Sequence, residues 1–245
     1  MLPEEQELNR LESEQVTLED QVATAELTLE TLKAETAQFQ YHYYQTVGQL
    51  YVELDELYAK ITRAKAGLEP DNTQVQAEAE AASEQAQRSA EEAGLTEKQP
   101  APHPKITPEL KQVFRQAVKL MHPDRATTNA ERERRTVFMA QVNVAYSEGD
   151  QAAIDKLITD FGQDPEAIKC DDVASCLVKT IRCIAQLRRR LIEVEQEINT
   201  LKQGELYKLM ITVNETQATG GDSLSDLALQ LLQQISELKV ETYST

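Results

Sequence analysis

Residues 107–125 read TPELKQVFRQAVKLMHPDR, and this stretch decides the fold of the segment around it. Its opening threonine, proline and glutamate are typical of a helix N-terminus. Because a proline disfavours the α conformation in the residue before it, we expect the helix to end near Met121 or His122. Between these points the apolar residues recur at the spacing of one helix face: Leu110, Val113, Phe114, Ala117, Val118 and Met121.

A second helix is predicted to follow a short loop and to begin around Thr128 or Asn129. Its apolar residues also share one face: Phe138, Met139, Val142, Ala145 and Tyr146. Two antiparallel helices packed through these faces form a hairpin with His122-Pro123-Asp124 at its tip. The first helix also carries a separate basic stripe with a spacing of four residues: Lys111, Arg115 and Lys119.

The residues of this hairpin resemble the J-domain (DnaJ) family. LKQVFRQAVKLMHPDR is similar to the family's second helix and signature loop, and Val142, Asn143, Ala145 and Tyr146 resemble its third helix, which ends in Ala-Tyr. The resemblance implies a partner, a DnaK-type chaperone, whose ATP hydrolysis this chain would stimulate without itself being an enzyme. It also implies a set of chaperone-binding residues: Lys111, Arg115, Lys119, His122, Pro123, Asp124 and Arg125.

The sequence departs from the family pattern outside this hairpin. The family's first helix, with its Tyr-x-x-Leu-Gly pattern, is absent, and so are a Gly/Phe-rich region and a CxxCxGxG repeat. The client protein is therefore unknown from the sequence. A second hypothesis is a coiled-coil scaffold or adaptor whose J-like hairpin no longer stimulates an ATPase.

Residues 1–68 carry the pattern of a long N-terminal coiled-coil helix. The steps from Phe39 to Tyr43 and from Tyr43 to Val47 are both four residues, a stutter that locally unwinds a coiled coil. The partner of this seam is either a second copy of the chain, which would make a homo-oligomer, or the C-terminal helices. The apolar seam consists of Leu8, Leu11, Leu18, Val22, Ala25, Leu29, Leu32 and Phe39, then Val47, Leu50, Leu54, Leu57, Ile61, Ala64 and Leu68.

The rest of the chain divides into three parts. Residues 69–106 are predicted to be a low-complexity, solvated spacer and a proline-containing linker. Residues 107–161 are the J-domain-like segment. Residues 173–245 are predicted to form an antiparallel helical hairpin, with one helix over about 173–216 and another over about 223–240. The predicted fold is thus all-α, a small hairpin between a coiled-coil helix and a helical hairpin.

Composition narrows the functional classes. A net charge of -17 argues against a nucleic-acid-binding protein, which usually has a dominant basic face. The run Arg188–Arg190 is interpreted as a solvated face or an interhelical charge pair.

Cys170, Cys176 and Cys183 lack CxxC spacing and are interpreted as structural thiols in a reducing compartment, without metal or cofactor. No apolar run is long enough for a membrane span, and the acidic N-terminus is unlike a signal peptide. These features predict a cytoplasmic protein.

Overall fold

The computed structural model describes residues 3–97, 106–126, 128–162 and 172–244, and all regular structure within these ranges is helical. The all-α prediction is therefore confirmed for the described part of the chain. A π-helical turn, Tyr44–Gly48, joins the first two helices, and a 3₁₀ turn, Pro123–Arg125, follows the fourth. The helices are α1 (Pro3–Tyr43), α2 (Gln49–Leu68), α3 (Thr73–Glu97), α4 (Pro108–Met121), α5 (Asn129–Ser147), α6 (Gln151–Gly162), α7 (Val173–Gln203), α8 (Glu205–Ala218) and α9 (Ser223–Ser244).

The chain divides into two compact units. The first combines Met1–Glu35 with Pro102–Gly204, and the second combines Thr36–Ala101 with Glu205–Thr245. The first unit therefore contains most of α1 together with α4 to α7. The second contains the end of α1 and the helices α2, α3, α8 and α9.

The core of the first unit lies between α4, α5 and α6. Phe114 of α4 is fully buried, and its ring centroid lies 4.3 Å from that of Tyr146 in α5. Helix α6 closes the core with Ile154 and Phe161, and the Phe161 ring stands edge-on to Phe138 at 5.3 Å. The α4–α5 hairpin thus has a third helix packed across it.

Local capping sets the ends of the hairpin helices. Thr107 accepts a hydrogen bond from the backbone N–H of Leu110 at 3.1 Å, and Pro108 occupies the first position of α4. The helix ends at Met121, immediately before the His-Pro pair. Thr128 caps α5 in the same way, accepting from the backbone N–H of Glu131 at 3.2 Å. The helix boundaries predicted from these residues are confirmed.

Helix α1 packs on α7 within the first unit. Leu11, Leu18 and Val22 of α1 form one apolar cluster with Cys183, Ile184 and Leu187 of α7. The next residue of α1, Ala23, enters the core of α4 to α6, and Leu27 packs against it. Over this part of its seam, the partner helix of α1 belongs to the same chain.

In the second unit, α3 packs against α2. The sequence predicted a solvated spacer over residues 73–93 because large apolar side chains are scarce there. The structure differs: Ala79, Ala82 and Ala86 of α3 are buried, the last two in a cluster with Ala59 of α2. Small methyl groups let two helices approach closely, so α3 buries a stripe without large side chains. The linker residues 98–105 lie outside the described residues.

The C-terminal hairpin is shorter than predicted. A single helix was expected over about 173–216, but Gly204 has the extended conformation φ -63°, ψ 144° and separates α7 from α8. The predicted turn at 218–222 is present, with Gly220 at φ 86°, and it joins α8 to α9. Met210, Val213 and Leu224 pack there with Phe39 from the end of α1. The antiparallel pair is therefore α8 with α9. Cys170 lies outside the described residues.

The π-helical turn falls on the predicted stutter. Val47 and Gly48 are buried in this turn, and a Cβ atom on Gly48 would collide with the ring of Tyr44. A π-helical turn accommodates an extra residue within a helix. It therefore absorbs the four-residue steps from Phe39 to Tyr43 and Val47 and keeps the apolar side chains on one face.

Candidate functional site

The His-Pro-Asp loop is a compact turn that holds the His122 ring. The backbone N–H of Arg125 donates to the carbonyl of His122 at 3.1 Å, which closes the 3₁₀ turn. The backbone N–H of Asp124 donates to Nδ1 of His122, also at 3.1 Å. Because Nδ1 accepts this hydrogen bond, the ring hydrogen lies on Nε2. The ring is thus fixed in one tautomer, with its remaining donor pointing away from the loop.

Arg135 of α5 fastens the entry of the loop. Its guanidinium donates to the carbonyl of Leu120 at 2.9 Å and to that of His122 at 3.5 Å. Glu131 holds the same guanidinium at 2.6 Å. The Leu120 carbonyl belongs to the last turn of α4 and would otherwise lack a helical partner. Arg135 therefore positions the loop on the hairpin, a role that the sequence pattern did not identify.

Two helices cover the loop. Nε2 of His122 lies 3.3 Å from Oε1 of Glu26 in α1, and only 6% of the His122 surface is exposed. From α7, the thiol of Cys183 donates to the carbonyl of Asp124 at 3.6 Å. Burial raises the pKa of this thiol to about 11. Helices α1 and α7 therefore cover the His122 ring, while Pro123, Asp124 and Arg125 stay partly exposed.

Glu26 joins both covering helices to the loop. Its Oε1 atom accepts from Nε of Arg190 at 2.8 Å as well as from His122, and Arg190 also reaches Glu197 at 3.2 Å. Burial alone would raise the pKa of the Glu26 carboxyl. The hydrogen bonds from His122 and Arg190 and the charge of Arg190 outweigh it and hold that pKa below its ordinary value. Glu26 is therefore a buried, ionised and paired carboxylate.

The basic stripe of α4 also faces α1. Arg115 donates to both carboxylate oxygens of Asp20, at 2.6 Å and 2.7 Å, and Lys119 pairs with the same carboxylate. The hydrogen bond from Lys119 and the Arg115 charge hold the pKa of Asp20 below its usual range, against the opposing effect of burial. At the loop itself, Nε of Arg125 pairs with Glu19 at 2.9 Å. Each of these basic side chains therefore has a carboxylate partner on α1.

The structure brings most of the predicted site residues together. His122, Pro123, Asp124 and Arg125 form the loop, and Arg115 and Lys119 lie beside it under α1. Lys111 lies one turn earlier on α4 and is half-buried. Within the described residues, no hydrogen bond or ion pair ends on its ammonium group.

Sequence reasoning missed the acidic half of this site. The sequence pattern assigned no role to the carboxylates of α1, yet the Glu26 side chain is only 9% exposed. The signal that could have found Glu19, Asp20 and Glu26 is an acidic segment matched to a basic stripe. The run Arg188–Arg190 does supply interhelical charge pairs, from Arg188 to Glu14 and from Arg190 to Glu26.

Among the described residues, no group of three His, Cys, Asp or Glu side chains is placed to hold a metal ion. No helix in the same ranges has the length and apolar character needed to cross a membrane.

Comparisons with known proteins add no relative. No protein family, curated protein or solved structure matches this chain.

Proposed function

We propose that this chain is a J-domain co-chaperone, which binds a DnaK-type chaperone and stimulates its ATP hydrolysis. One observation carries the proposal: α4 and α5 form a hairpin whose connecting turn is His122-Pro123-Asp124, with the His122 ring fixed onto the backbone of Asp124. The resemblance in sequence and this local geometry concern the same residues.

The electrostatics of α4 support an acidic protein surface as partner. Arg115 makes a two-pronged contact with a carboxylate, and Lys119 joins it on the same group. Arginine is suited to such planar recognition of carboxylates. Lys111, Arg115, Lys119 and Arg125 would steer and orient the chaperone, since charges around an interface act mainly on association and specificity. Within this chain, carboxylates of α1 pair with these basic side chains. Carboxylates on a partner protein would fit the same surface.

The proposed activity requires no bond-making by this chain. A co-chaperone of this kind shifts the ATPase between two states by binding one of them more tightly. His122, Pro123 and Asp124 are assigned the contact that distinguishes the two states. Client recruitment and self-association are assigned to the coiled-coil helices, because the Gly/Phe-rich and zinc-binding regions of general DnaJ proteins are absent. The cysteine spacing, which contains no CxxC pair, is consistent with action in the reducing cytoplasm.

The test is single-turnover ATP hydrolysis by a DnaK-type chaperone at micromolar concentrations of this chain. We expect stimulation that His122→Gln abolishes. His42→Gln is the matched control, because His42 is exposed and lies in the second unit, and it should leave stimulation unchanged. The proposal fails if no His122-dependent stimulation occurs either in the wild-type chain or in a Glu19→Gln/Asp20→Asn chain, in which the hold of α1 on this surface is weaker.

A second function, the coiled-coil scaffold with an inert J-like hairpin, is favoured by the burial of His122. In that case the ion pairs with Glu26, Asp20 and Glu19 are purely structural contacts. His122→Gln would then lower the stability of the first unit and have no ATPase to act on. The same hydrolysis assay therefore separates the two functions.

A further inference from the structure

We propose that α1 is an autoinhibitory helix, whose carboxylates occupy the surface that would bind the chaperone. This inference rests on the proposed co-chaperone function. Its consequence is that the chaperone binds only to molecules in which α1 has separated from α4 and the His-Pro-Asp loop.

The ion pairs explain why α1 and the chaperone cannot occupy this surface at the same time. Asp20 takes both Arg115 and Lys119, while Glu19 takes Arg125. These three basic groups belong to the set assigned to the chaperone. A side chain committed to a carboxylate of α1 cannot also neutralise one on a partner, so α1 and an acidic protein surface compete for the same groups.

Burial of the His122 ring makes the exclusion steric as well. The His122 ring is enclosed, and its free donor is used by Glu26. Cys183 of α7 contacts the carbonyl of Asp124 from a second helix. A protein partner has no route to the imidazole of His122 while both helices remain in place.

The contacts of α1 with the hairpin are suited to reversible release. Asp20, Arg115 and Lys119 each keep about two fifths of their side chains exposed, and ion pairs between exposed groups add little net stability. The apolar contact of α1 with the α4–α6 core is made by Ala23 and the half-buried Leu27. By contrast, α1 meets α7 through several large apolar side chains, including Leu11, Leu18 and Val22. We therefore expect α1 and α7 to leave the loop together.

The experiment compares two double variants with the same net charge. Glu19→Gln/Asp20→Asn removes the carboxylates that face Arg125, Arg115 and Lys119. Glu4→Gln/Glu12→Gln removes two carboxylates from exposed positions of the same helix. Neither variant adds a positive charge that could itself attract the chaperone.

We call Glu19→Gln/Asp20→Asn the opened variant and Glu4→Gln/Glu12→Gln the exposed-site variant. The opened variant should reach half-maximal stimulation at a concentration roughly threefold to tenfold lower than the wild-type chain, because apparent affinity scales with the fraction of molecules that can bind the chaperone. The exposed-site variant should match the wild type. Adding His122→Gln to the opened variant should abolish its stimulation. Alkylation of Cys183, located by peptide mass spectrometry, reports opening without any ATPase, and it should be faster in the opened variant.

The outcomes distinguish the two proposals. Equal, His122-dependent stimulation by the wild-type chain and the opened variant would overturn autoinhibition and leave the co-chaperone function standing. Stimulation by neither chain, although Cys183 has become more reactive, would overturn the function and the inhibition with it. Should the double variant fail to fold by circular dichroism, Asp20→Asn alone is the milder change, with Glu12→Gln as its control.

Discussion

Nε2 of His122 and Oε1 of Glu26 lie 3.3 Å apart, although 96 positions separate the two residues in the chain. Arg190 donates to the same oxygen at 2.8 Å. A single carboxylate thereby links the loop after α4 to both α1 and α7. Its loss leaves the buried His122 donor without an acceptor and removes the nearest carboxylate from Arg190, which keeps Glu197.

Replacing Glu26 by Ala should destabilise the first unit by about 1–3 kcal/mol, because the buried His122 donor loses its acceptor. Glu12→Ala, at an exposed position of the same helix, should change stability by less than about 0.5 kcal/mol. Urea denaturation at neutral pH measures both values.

The pairing of Glu26 with Arg190 can be isolated in a double-mutant cycle. We expect Glu26→Ala and Arg190→Met together to cost clearly less than the sum of the two single changes, by about 1–3 kcal/mol, since the contacting groups are removed as a pair. Strict additivity would show that the 2.8 Å contact contributes no coupling energy.

Glu26 also predicts a pH dependence. Its pKa is held below the ordinary value of 4.5 in the folded protein and returns to that value on unfolding. The resulting stability is fully present above pH 4.5 and is lost as the pH falls through the folded pKa. The groups facing this carboxyl are His122 of the loop and Arg190 of α7. Below pH 4.5, the urea concentration at the unfolding midpoint should fall more steeply with decreasing pH in the wild type than in Glu26→Gln. Parallel profiles would contradict this assignment.

Cys183 should react slowly with iodoacetamide. With its pKa raised to about 11, only about one thiol in a thousand is ionised at pH 8, and the thiolate is the reactive form. The rate should rise about tenfold per pH unit up to pH 10 and should return to that of an ordinary thiol in urea. A rate that levels off near pH 9 in the folded chain would show that Cys183 is not buried against the loop.

The packing of α3 on α2 can be tested at neighbouring alanines. Ala82 is buried, whereas Ala81 is exposed, so Ala82→Glu should speed amide hydrogen exchange throughout α2 and α3 while Ala81→Glu should not. A buried carboxylate without a partner is the physical cause. Equal effects of the two changes would favour the solvated spacer predicted from composition.

Rules that involve residues close together in the sequence correctly predicted the ends of the hairpin helices. The cap at Thr107, the stop at His122-Pro123 and the start of α5 at Thr128 each depend on residues within a few positions of one another. The contacts of Asp20 and Glu26 depend on residues about 95 positions away, and a single sequence carries no signal of which distant charges meet. The sequence therefore predicted the basic side of the candidate site and missed the acidic side.

Two further differences between the sequence predictions and the structure have other causes. The stripe Ala79, Ala82 and Ala86 is visible at helical spacing, but each methyl group is small, so composition alone suggested that nothing was buried. Gly204 lies within an otherwise helical pattern, where a glycine lowers helix propensity without dictating a break. Only the structure shows that the backbone leaves the helix there.

The π-helical turn at Tyr44–Gly48 determines how this part of the chain tolerates insertions and deletions. Removing one residue there would restore an ordinary α-helical turn and rotate every later side chain of α2 by about 100° around the helix axis. Ala59, Ile61 and Ala66, all buried, would then point in new directions, although none of them had been changed. The same deletion between α2 and α3, at Asp71 or Asn72, would fall in an exposed turn. The packing of α2 thus fixes the chain length at a position outside the candidate functional site.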